Sequence, residues 1–237
     1  MVHEETIAIL AMGPSRVFCD WNVKEIWSVN NGYKQVQEMH GHISKVFLAH
    51  TQVYRRDTKE PVFNWAEMNS LADAGIEIIN THRVKGLKAK IFPMKRISEK
   101  FGANMYFSDT VAYMISYALD SNTTGCTKDG TLRLTNSLTL KLYGVDMQET
   151  EEYGLEKGGL EYWIGYAQGL GVTVELTTYL QGCNLMRTHN GIPYGNKTYK
   201  LKDIDPFGLL KIKHKQGHVE IELNDKTLDG ATPATIR

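Results

Sequence analysis

Four groups of polar residues lie at or just past the ends of short apolar runs, and their side chains are of kinds that bind nucleotides. They are Gly13-Pro14-Ser15, Asn30-Asn31, His50 and Asp146. A glycine lets the backbone approach phosphate oxygens closely, and a hydroxyl and exposed N–H groups can hold them. Asn amides both donate and accept hydrogen bonds, which suits a base or a ribose, and histidine serves as a general acid or base. Each group alone also fits an ordinary turn, but their shared position favours a binding site.

A fifth polar group, Ser108-Asp109-Thr110, precedes an apolar pattern at helical spacing. Ser108 or Asp109 is a natural N-cap for this helix, and a helix N-terminus also attracts anions. Asp109 and Asp146 are the best placed pair of carboxylates for Mg²⁺. Two roles therefore stay open for Asp109, a helix cap or a magnesium ligand beside phosphates, and we expect the cap.

The stretch from 138 to 176 supplies the structural frame for these residues. A strand-like run, Leu138–Tyr143, is followed by an acidic, polar loop and then by apolar residues at helical spacing, and Val172–Leu176 is a second strand-like run. The helical face consists of Leu160, Trp163, Ile164 and Ala167. The pattern predicts a βαβ unit with parallel strands.

Further short apolar runs predict more strands, and a capped pattern predicts one more helix. The strands are Thr6–Met12, Glu25–Asn30, Lys45–Ala49, Ile76–Ile79 and Ile91-Phe92, and the helix is Asn64–Ala74, capped by Asn64 and ended by Gly75. We predict an α/β fold, a Rossmann-like, mostly parallel sheet flanked by helices, over residues 1–180. Residues 181–237 are predicted as a loop, a β-hairpin appendage and a tail packed on it. The hairpin joins Leu210–His214 to His218–Glu222, so that His214 and His218 could face each other.

Composition restricts the partners and the compartment. The 237 residues carry 27 Lys and Arg against 27 Asp and Glu, which argues against a nucleic-acid coat or a polybasic membrane patch. No window approaches 18 apolar residues and MVHEET is no signal region, so we expect a soluble, cytoplasmic protein without a membrane partner. Three scattered cysteines without a CxxC pair predict neither a zinc site nor a disulfide framework. The basic residues between Arg83 and Lys100 form either a solvated surface or a cationic wall facing an anionic substrate.

The motifs together resemble a known pattern. GPS after the first strand, then SDTVAYMISYAL and LKLYGVDMQETEEY, is similar to the Rossmann-like sialyltransferases of glycosyltransferase family 42. In that family a GPS turn, a TSG-x-x-M helix start and a strand ending in G-[IV]-D-[FM] surround a CMP-sugar donor. The outline also resembles the MptE-like proteins (domain of unknown function 115), which include pterin pyrophosphokinases and flagellin-modifying glycosyltransferases, and uncharacterised proteins of tailed bacteriophages. The resemblance covers about residues 6–180.

The resemblance implies a role for each matching residue. Gly13, Pro14 and Ser15 would contact the donor phosphate or ribose, Asn30 or Asn31 the nucleotide, Ser108 and Thr110 its phosphate side, Gly144 the base and Tyr153 a phosphate, while Asp146 would shape its turn. Two positions depart from the pattern. The TSG triplet is SDT here, which puts Asp109 near the expected phosphates, and His189 in RTHNGIPYG is the only counterpart of the family's histidine base.

These features predict a nucleotide-sugar-dependent glycosyltransferase-like protein that binds its nucleotide at the carboxyl ends of the parallel strands. His50 or His189 would act as acid or base, with Asp146 nearby. The alternatives are a Mg²⁺-dependent pyrophosphokinase-like enzyme and a non-enzymatic phage protein that sequesters a nucleotide. Whether the protein is an enzyme stays open, as does a homo-oligomeric state. A phage-encoded protein would act in the cytoplasm of the bacterial host.

Overall fold

The computed structural model describes residues 4–39, 41–51, 53–54, 58–102, 106–146, 151–177, 210–215 and 218–223, and for 151–155 and the last two ranges the backbone alone. In chain order the elements are β1 (Glu4–Leu10), a 3₁₀ turn (Pro14–Phe18), β2 (Glu25–Val29), α1 (Gly32–Glu38), β3 (Lys45–Leu48), α2 (Trp65–Asp73), β4 (Glu77–Asn80), β5 (Lys90–Ile91), α3 (Met94–Phe101), α4 (Thr110–Asn122), β6 (Thr123–Thr124), β7 (Arg133–Leu134), β8 (Ser137–Tyr143), α5 (Glu151–Gly169), β9 (Thr173–Leu176), β10 (Leu210–Lys215) and β11 (His218–Leu223).

Seven parallel strands form the central sheet, in the order β5-β4-β3-β2-β1-β8-β9. The predicted α/β, Rossmann-like class is confirmed, as is the βαβ unit β8-α5-β9. From β1 the chain first adds strands on one side and later returns to add β8 and β9 on the other. The strand order therefore reverses between β1 and β8.

Both faces of this sheet are buried, which explains why its strands are nearly continuous apolar runs. Along β1, Ile7 and Ile9 belong to a core cluster that includes residues of α3, α4 and α5. Ala8 and Leu10 point the other way, into a cluster with Val36 of α1. Residues of α1 and α2 form a third cluster with β3 and β4. Three helices thus cover one face and two cover the other.

The predicted helices are present with the expected buried faces. Asn64 caps α2, since its Oδ1 accepts a hydrogen bond from the Glu67 N–H at 3.2 Å. In α5 the predicted face of Leu160, Trp163, Ile164 and Ala167 is buried. The helix begins at Glu151, so the acidic segment predicted as a loop is helical from there. Among the helices of the described residues, none has the length and apolar character needed to cross a membrane.

The chain divides into two units, residues 1–187 and 188–237. In the second unit β10 and β11 pair antiparallel, which confirms the predicted hairpin. Its register places His214 opposite Val219 and His218 opposite Lys215. His218 is paired with Lys215, the neighbour of His214, and neighbouring positions of a strand lie on opposite faces of the hairpin. The expectation that the two histidines face each other was therefore wrong.

Candidate functional site

A pocket of about 590 Å³ lies at the carboxyl ends of β1, β2, β3 and β8. It is placed where the strand order reverses between β1 and β8, which is where open parallel sheets bind their ligands. Most residues predicted for the site line this pocket: Gly13, Pro14, Asn30, His50, Ser108, Asp109, Thr110, Gly144 and Asp146. Ser15 and Asn31 are not part of its lining. His189 and the side chain of Tyr153 lie outside the described residues.

The loops after β1 and β8 continue to pair beyond the strands. The Ala11 N–H donates to the Tyr143 carbonyl at 2.9 Å, and the Gly13 N–H donates to the Gly144 carbonyl at 2.8 Å. A Cβ on Gly13 would overlap the Gly144 carbonyl and the carboxylate of Asp146. Gly144 has φ +69°, and a Cβ there would overlap the Ala11 carbonyl. Both glycines are therefore required by the close approach of the two loops.

Ser15 is not part of the pocket lining, and it is only 1% exposed. Its N–H donates to Asp146 Oδ2 at 2.9 Å, and its Oγ accepts the N–H of Gly144 at 2.8 Å. The N–H and the hydroxyl of Ser15 thus both connect the loop after β1 to the loop after β8. Asp146 is 3% exposed, and its second oxygen, Oδ1, has no hydrogen-bond partner among the described residues.

The two asparagines after β2 differ in position. Asn30 lines the pocket with a left-handed backbone, φ +48°, and its Oδ1 is buried without a partner among the described residues. Few residues other than glycine adopt this conformation, and asparagine is among those that tolerate it. Asn31 points elsewhere, since its Nδ2 donates to the Val62 carbonyl at 3.0 Å. Of the two, Asn30 is the residue in position to contact a ligand.

Asp109 forms the N-cap of α4, which confirms the expected structural role. Its Oδ1 accepts from the N–H groups of Val111 at 2.6 Å and Ala112 at 3.0 Å. Its Oδ2 has no partner among the described residues, although the side chain is only 8% exposed. Burial raises the pKa of Asp109 to about 6, against the lowering effect of the two N–H groups. The carboxylate occupies the place at this helix end where an anionic ligand would otherwise bind.

The segment before α4 is fixed against α5. The Ser108 hydroxyl donates to the Glu156 carbonyl, and a Cβ on Gly159 would overlap the Ser108 side chain. Thr110, the first residue of α4, is half-buried and lines the pocket with Ser108 and Glu156. The Ser108 proton is thus used within the protein, and its oxygen remains able to accept.

His50 is exposed at the pocket edge, and its ring stacks on Phe63 with centroids 5.6 Å apart. Its carbonyl accepts from Nδ2 of Asn80, a fully buried residue at the end of β4. The position of Asn80 at a strand end is the same signal that identified Asn30 and His50. Asn80 nevertheless was not predicted, and it holds the segment that carries His50.

The apolar side of the pocket was also missed by the sequence analysis. Phe107 and Tyr113 line the pocket and stack with centroids 4.4 Å apart and planes 3° from parallel. Trp163 stacks on Phe107 at 5.2 Å. Burial, followed by the negative charge of Asp109, raises the pKa of Tyr113. A nucleobase or another flat ring matches such a wall.

The described lining is acidic. It includes three carboxylates, those of Asp109, Asp146 and Glu156, and no lysine or arginine. None of the basic residues between Arg83 and Lys100 is part of this lining, so they do not form the cationic wall that one of our two interpretations required. Within the described residues, no three of His, Cys, Asp and Glu form a group that could hold a metal. The described lining therefore offers no cationic side chain to compensate a negatively charged ligand.

Comparisons with protein-family models, with curated proteins and with solved structures find no match. The resemblance to family 42 and to the MptE-like proteins therefore stays a prediction from motifs. The geometry of the site combines an aromatic wall, two backbone loops in close approach and buried acceptor oxygens.

Proposed function

We propose that this pocket binds a nucleotide-sugar donor and that the protein is a nucleotide-dependent glycosyltransferase. The observation that carries this proposal is the location of the pocket, at the carboxyl ends of four parallel strands and at the reversal of strand order. Parallel sheets of this topology place their ligands there. The volume of about 590 Å³ is in the range of sites for nucleotide-sized ligands.

The lining suggests how such a donor would be held. The Phe107–Tyr113 wall would contact the base, and the Asn30 amide would bond to the ribose or the base edge. His50, on the open edge, would accept the proton of an acceptor hydroxyl. The hydroxyl oxygen would then bond to the anomeric carbon as the bond from that carbon to the donor phosphate breaks, and the nucleotide would leave with the electron pair.

A second reaction, Mg²⁺-dependent pyrophosphoryl transfer, is favoured by one specific observation. The described lining combines three carboxylates with no lysine or arginine, and carboxylates with Mg²⁺ are a common way to neutralise phosphates. In this reaction the acceptor hydroxyl would attack the β-phosphorus of a nucleoside triphosphate, and the nucleoside monophosphate would leave. The two reactions share the nucleotide and differ in the product.

Binding can be tested with a variant that removes one side chain and keeps the backbone. Asn30→Gly deletes the amide at φ +48° while glycine adopts that conformation freely. Lys59→Gly is the matched control, because Lys59 also has a positive φ, +57°, but is exposed and outside the pocket lining. We expect at least a tenfold loss of nucleotide affinity by calorimetry for Asn30→Gly and none for the control. Equal affinities in both variants would contradict this placement.

Turnover separates the reactions and separates an enzyme from a binding protein. The ligand that binds best is incubated with the protein and acceptor mixtures, and the products are analysed by mass spectrometry. A released nucleotide with a glycosylated acceptor supports the proposal, and a pyrophosphorylated acceptor supports the second reaction. Quantitative recovery of unchanged ligand would show a binding protein and overturn both.

A further inference from the structure

Two buried carboxylates in the pocket share an unusual feature. Asp109 and Asp146 are 8% and 3% exposed, and each uses one oxygen to accept backbone N–H groups. The other oxygen of each, Oδ2 of Asp109 and Oδ1 of Asp146, has no partner among the described residues. Both residues belong to the lining of one pocket. A buried polar atom without a partner is rare in folded proteins and requires an explanation.

Burial of an ionised carboxylate without a compensating charge is costly, so such a group takes up a proton or meets a cation. The described residues that line this pocket offer no lysine or arginine for that purpose. The Asn30 Oδ1, a third acceptor in the same lining, is also buried without a partner. The unsatisfied groups are therefore oxygen acceptors, and two of them belong to acids. Oxygen acceptors of this kind are the ligands that a hard divalent cation prefers.

We propose that the pocket holds a divalent cation of the magnesium class, for which Asp109 and Asp146 supply the anionic oxygens, directly or through bound water. Mg²⁺ is typically bound by one or two carboxylates together with waters and substrate phosphates, without a closed cage of protein ligands. A two-carboxylate site also agrees with the finding that no three acidic, His or Cys side chains group together among the described residues.

The cation would also resolve the conflict between an acidic pocket and an anionic nucleotide. The N–H groups of Val111 and Ala112 are already bonded to Asp109, so a bare phosphate cannot use them. A divalent ion between the carboxylates and the phosphates would carry the charge that lysine or arginine supplies in other sites. The role of the cation in holding nucleotide phosphates rests on the proposed nucleotide function, whereas the binding of the cation itself does not.

The first measurement uses Mn²⁺ alone as the probe, with binding followed by electron paramagnetic resonance in the full chain without nucleotide. The wild type is compared with Asp109→Asn and Asp146→Asn, which preserve shape and keep an oxygen for the backbone N–H groups. Asp73→Asn is the matched control, because it removes an exposed carboxylate outside the pocket lining. We expect at least tenfold weaker Mn²⁺ binding in both pocket variants and wild-type binding in the control. Circular dichroism establishes that each variant is folded.

The second measurement determines the affinity for CDP and ADP by calorimetry in excess Mg²⁺ and in EDTA. We expect at least tenfold tighter binding with Mg²⁺, and no such gain in the two pocket variants. Mn²⁺ binding that depends on both aspartates, without nucleotide binding, would support the cation site and overturn the proposed function. Nucleotide binding that is the same in EDTA, with Mn²⁺ binding unaffected by either substitution, would overturn the cation site and leave the proposed function standing.

Discussion

Helix α4 has a buried aspartate at each end, and the protein treats the two in opposite ways. Asp109 at the start is 8% exposed and Asp120 near the end is 7% exposed. Asp120 accepts from Arg96 Nε at 2.8 Å and from Lys100 Nζ at 3.2 Å, so its charge is compensated by two cations. Among the described residues Asp109 has only backbone partners, and both are on one oxygen. Residue type, helix and burial are the same at the two ends, and the partners differ.

The helix dipole accounts for part of this difference. A carboxylate stabilises a helix N-terminus and destabilises a C-terminus, which accounts for the two cations beside Asp120 and for the N–H groups that meet Oδ1 of Asp109. Lys100 also donates to the carbonyls of Asp120 and Thr123, both at 2.7 Å, which satisfies groups that the helix end leaves without partners. The dipole explains why Asp109 Oδ1 meets N–H groups. It leaves Oδ2 unexplained, and that oxygen is the part of the comparison that points to a ligand.

The largest effect on stability is expected at Asp120, near the C-terminal end of α4. Asp120→Asn removes the charge that Arg96 and Lys100 share, and Lys100, with a side chain only 15% exposed, loses its anionic partner. We expect the free energy of unfolding to fall by about 3 kcal/mol, the lower end of the range for removing one partner of a buried ion pair, because Arg96 is largely exposed. Urea unfolding measures this change. Cation and nucleotide affinities of the folded variant should equal those of the wild type, and a parallel loss would show that the two ends are coupled.

The next effect concerns pH and belongs to Asp109. Its pKa is raised from 3.8 to about 6 in the folded protein, so the folded state retains a proton that the unfolded state releases. The contribution of Asp109 to the free energy of unfolding is therefore largest below about pH 4, and it is lost as pH rises through about 6. At 1.36 kcal/mol per pKa unit the loss is about 2–3 kcal/mol.

This loss is isolated by comparing wild type and Asp109→Asn in urea unfolding between pH 4.5 and pH 7.5, with EDTA present. The asparagine variant should lack this component, and it should be the more stable protein at pH 7.5. Excess Mg²⁺ should stabilise the wild type at pH 7.5 and leave the variant unchanged. If the free energy of unfolding changed with pH in the same way for wild type and Asp109→Asn in EDTA, Asp109 would ionise without cost. That result would weaken the contrast between the two ends of α4.

The fold could be predicted from the sequence because both faces of the sheet are buried. Runs such as Thr6–Met12 are apolar apart from the first residue, which distinguishes them from amphipathic helices. The predicted run misses the polar start of β1 at Glu4 and Glu5, and its last two residues belong to the loop that pairs with β8. Helix α1 gave no such signal. Its seven residues bury only Gly32, Tyr33 and Val36, too few for a helical pattern to stand out.

The location of the pocket could be predicted for a related reason, since the carboxyl ends of parallel strands share one edge of the sheet. The sequence did not reveal which of the polar side chains face the pocket. Ser15 and Asn31 stand within two positions of Gly13 and Asn30 in the sequence, yet the first bonds to Gly144 and the second to the Val62 carbonyl. Such bonds join residues far apart along the chain, and local patterns of residue types do not encode them. The aromatic wall of Phe107 and Tyr113 depends on packing in the same way.

The smallest expected effect measures what Asp109 contributes as a cap alone. Asparagine caps a helix about as well as aspartate, whereas alanine does not, so Asp109→Ala should be about 1 kcal/mol less stable than Asp109→Asn. Asn64→Ala is the matched control, because Asn64 caps α2 through a hydrogen bond to the Glu67 N–H and lies outside the pocket lining. Urea unfolding in EDTA should give similar losses for the two alanine substitutions, each relative to asparagine at the same position. Similar losses would mean that the structural role of Asp109 is an ordinary cap, and its unpartnered oxygen would then require a ligand for its explanation. A loss at Asp109 as large as that of Asp120→Asn would instead make both aspartates structural and remove the difference between the two ends of α4.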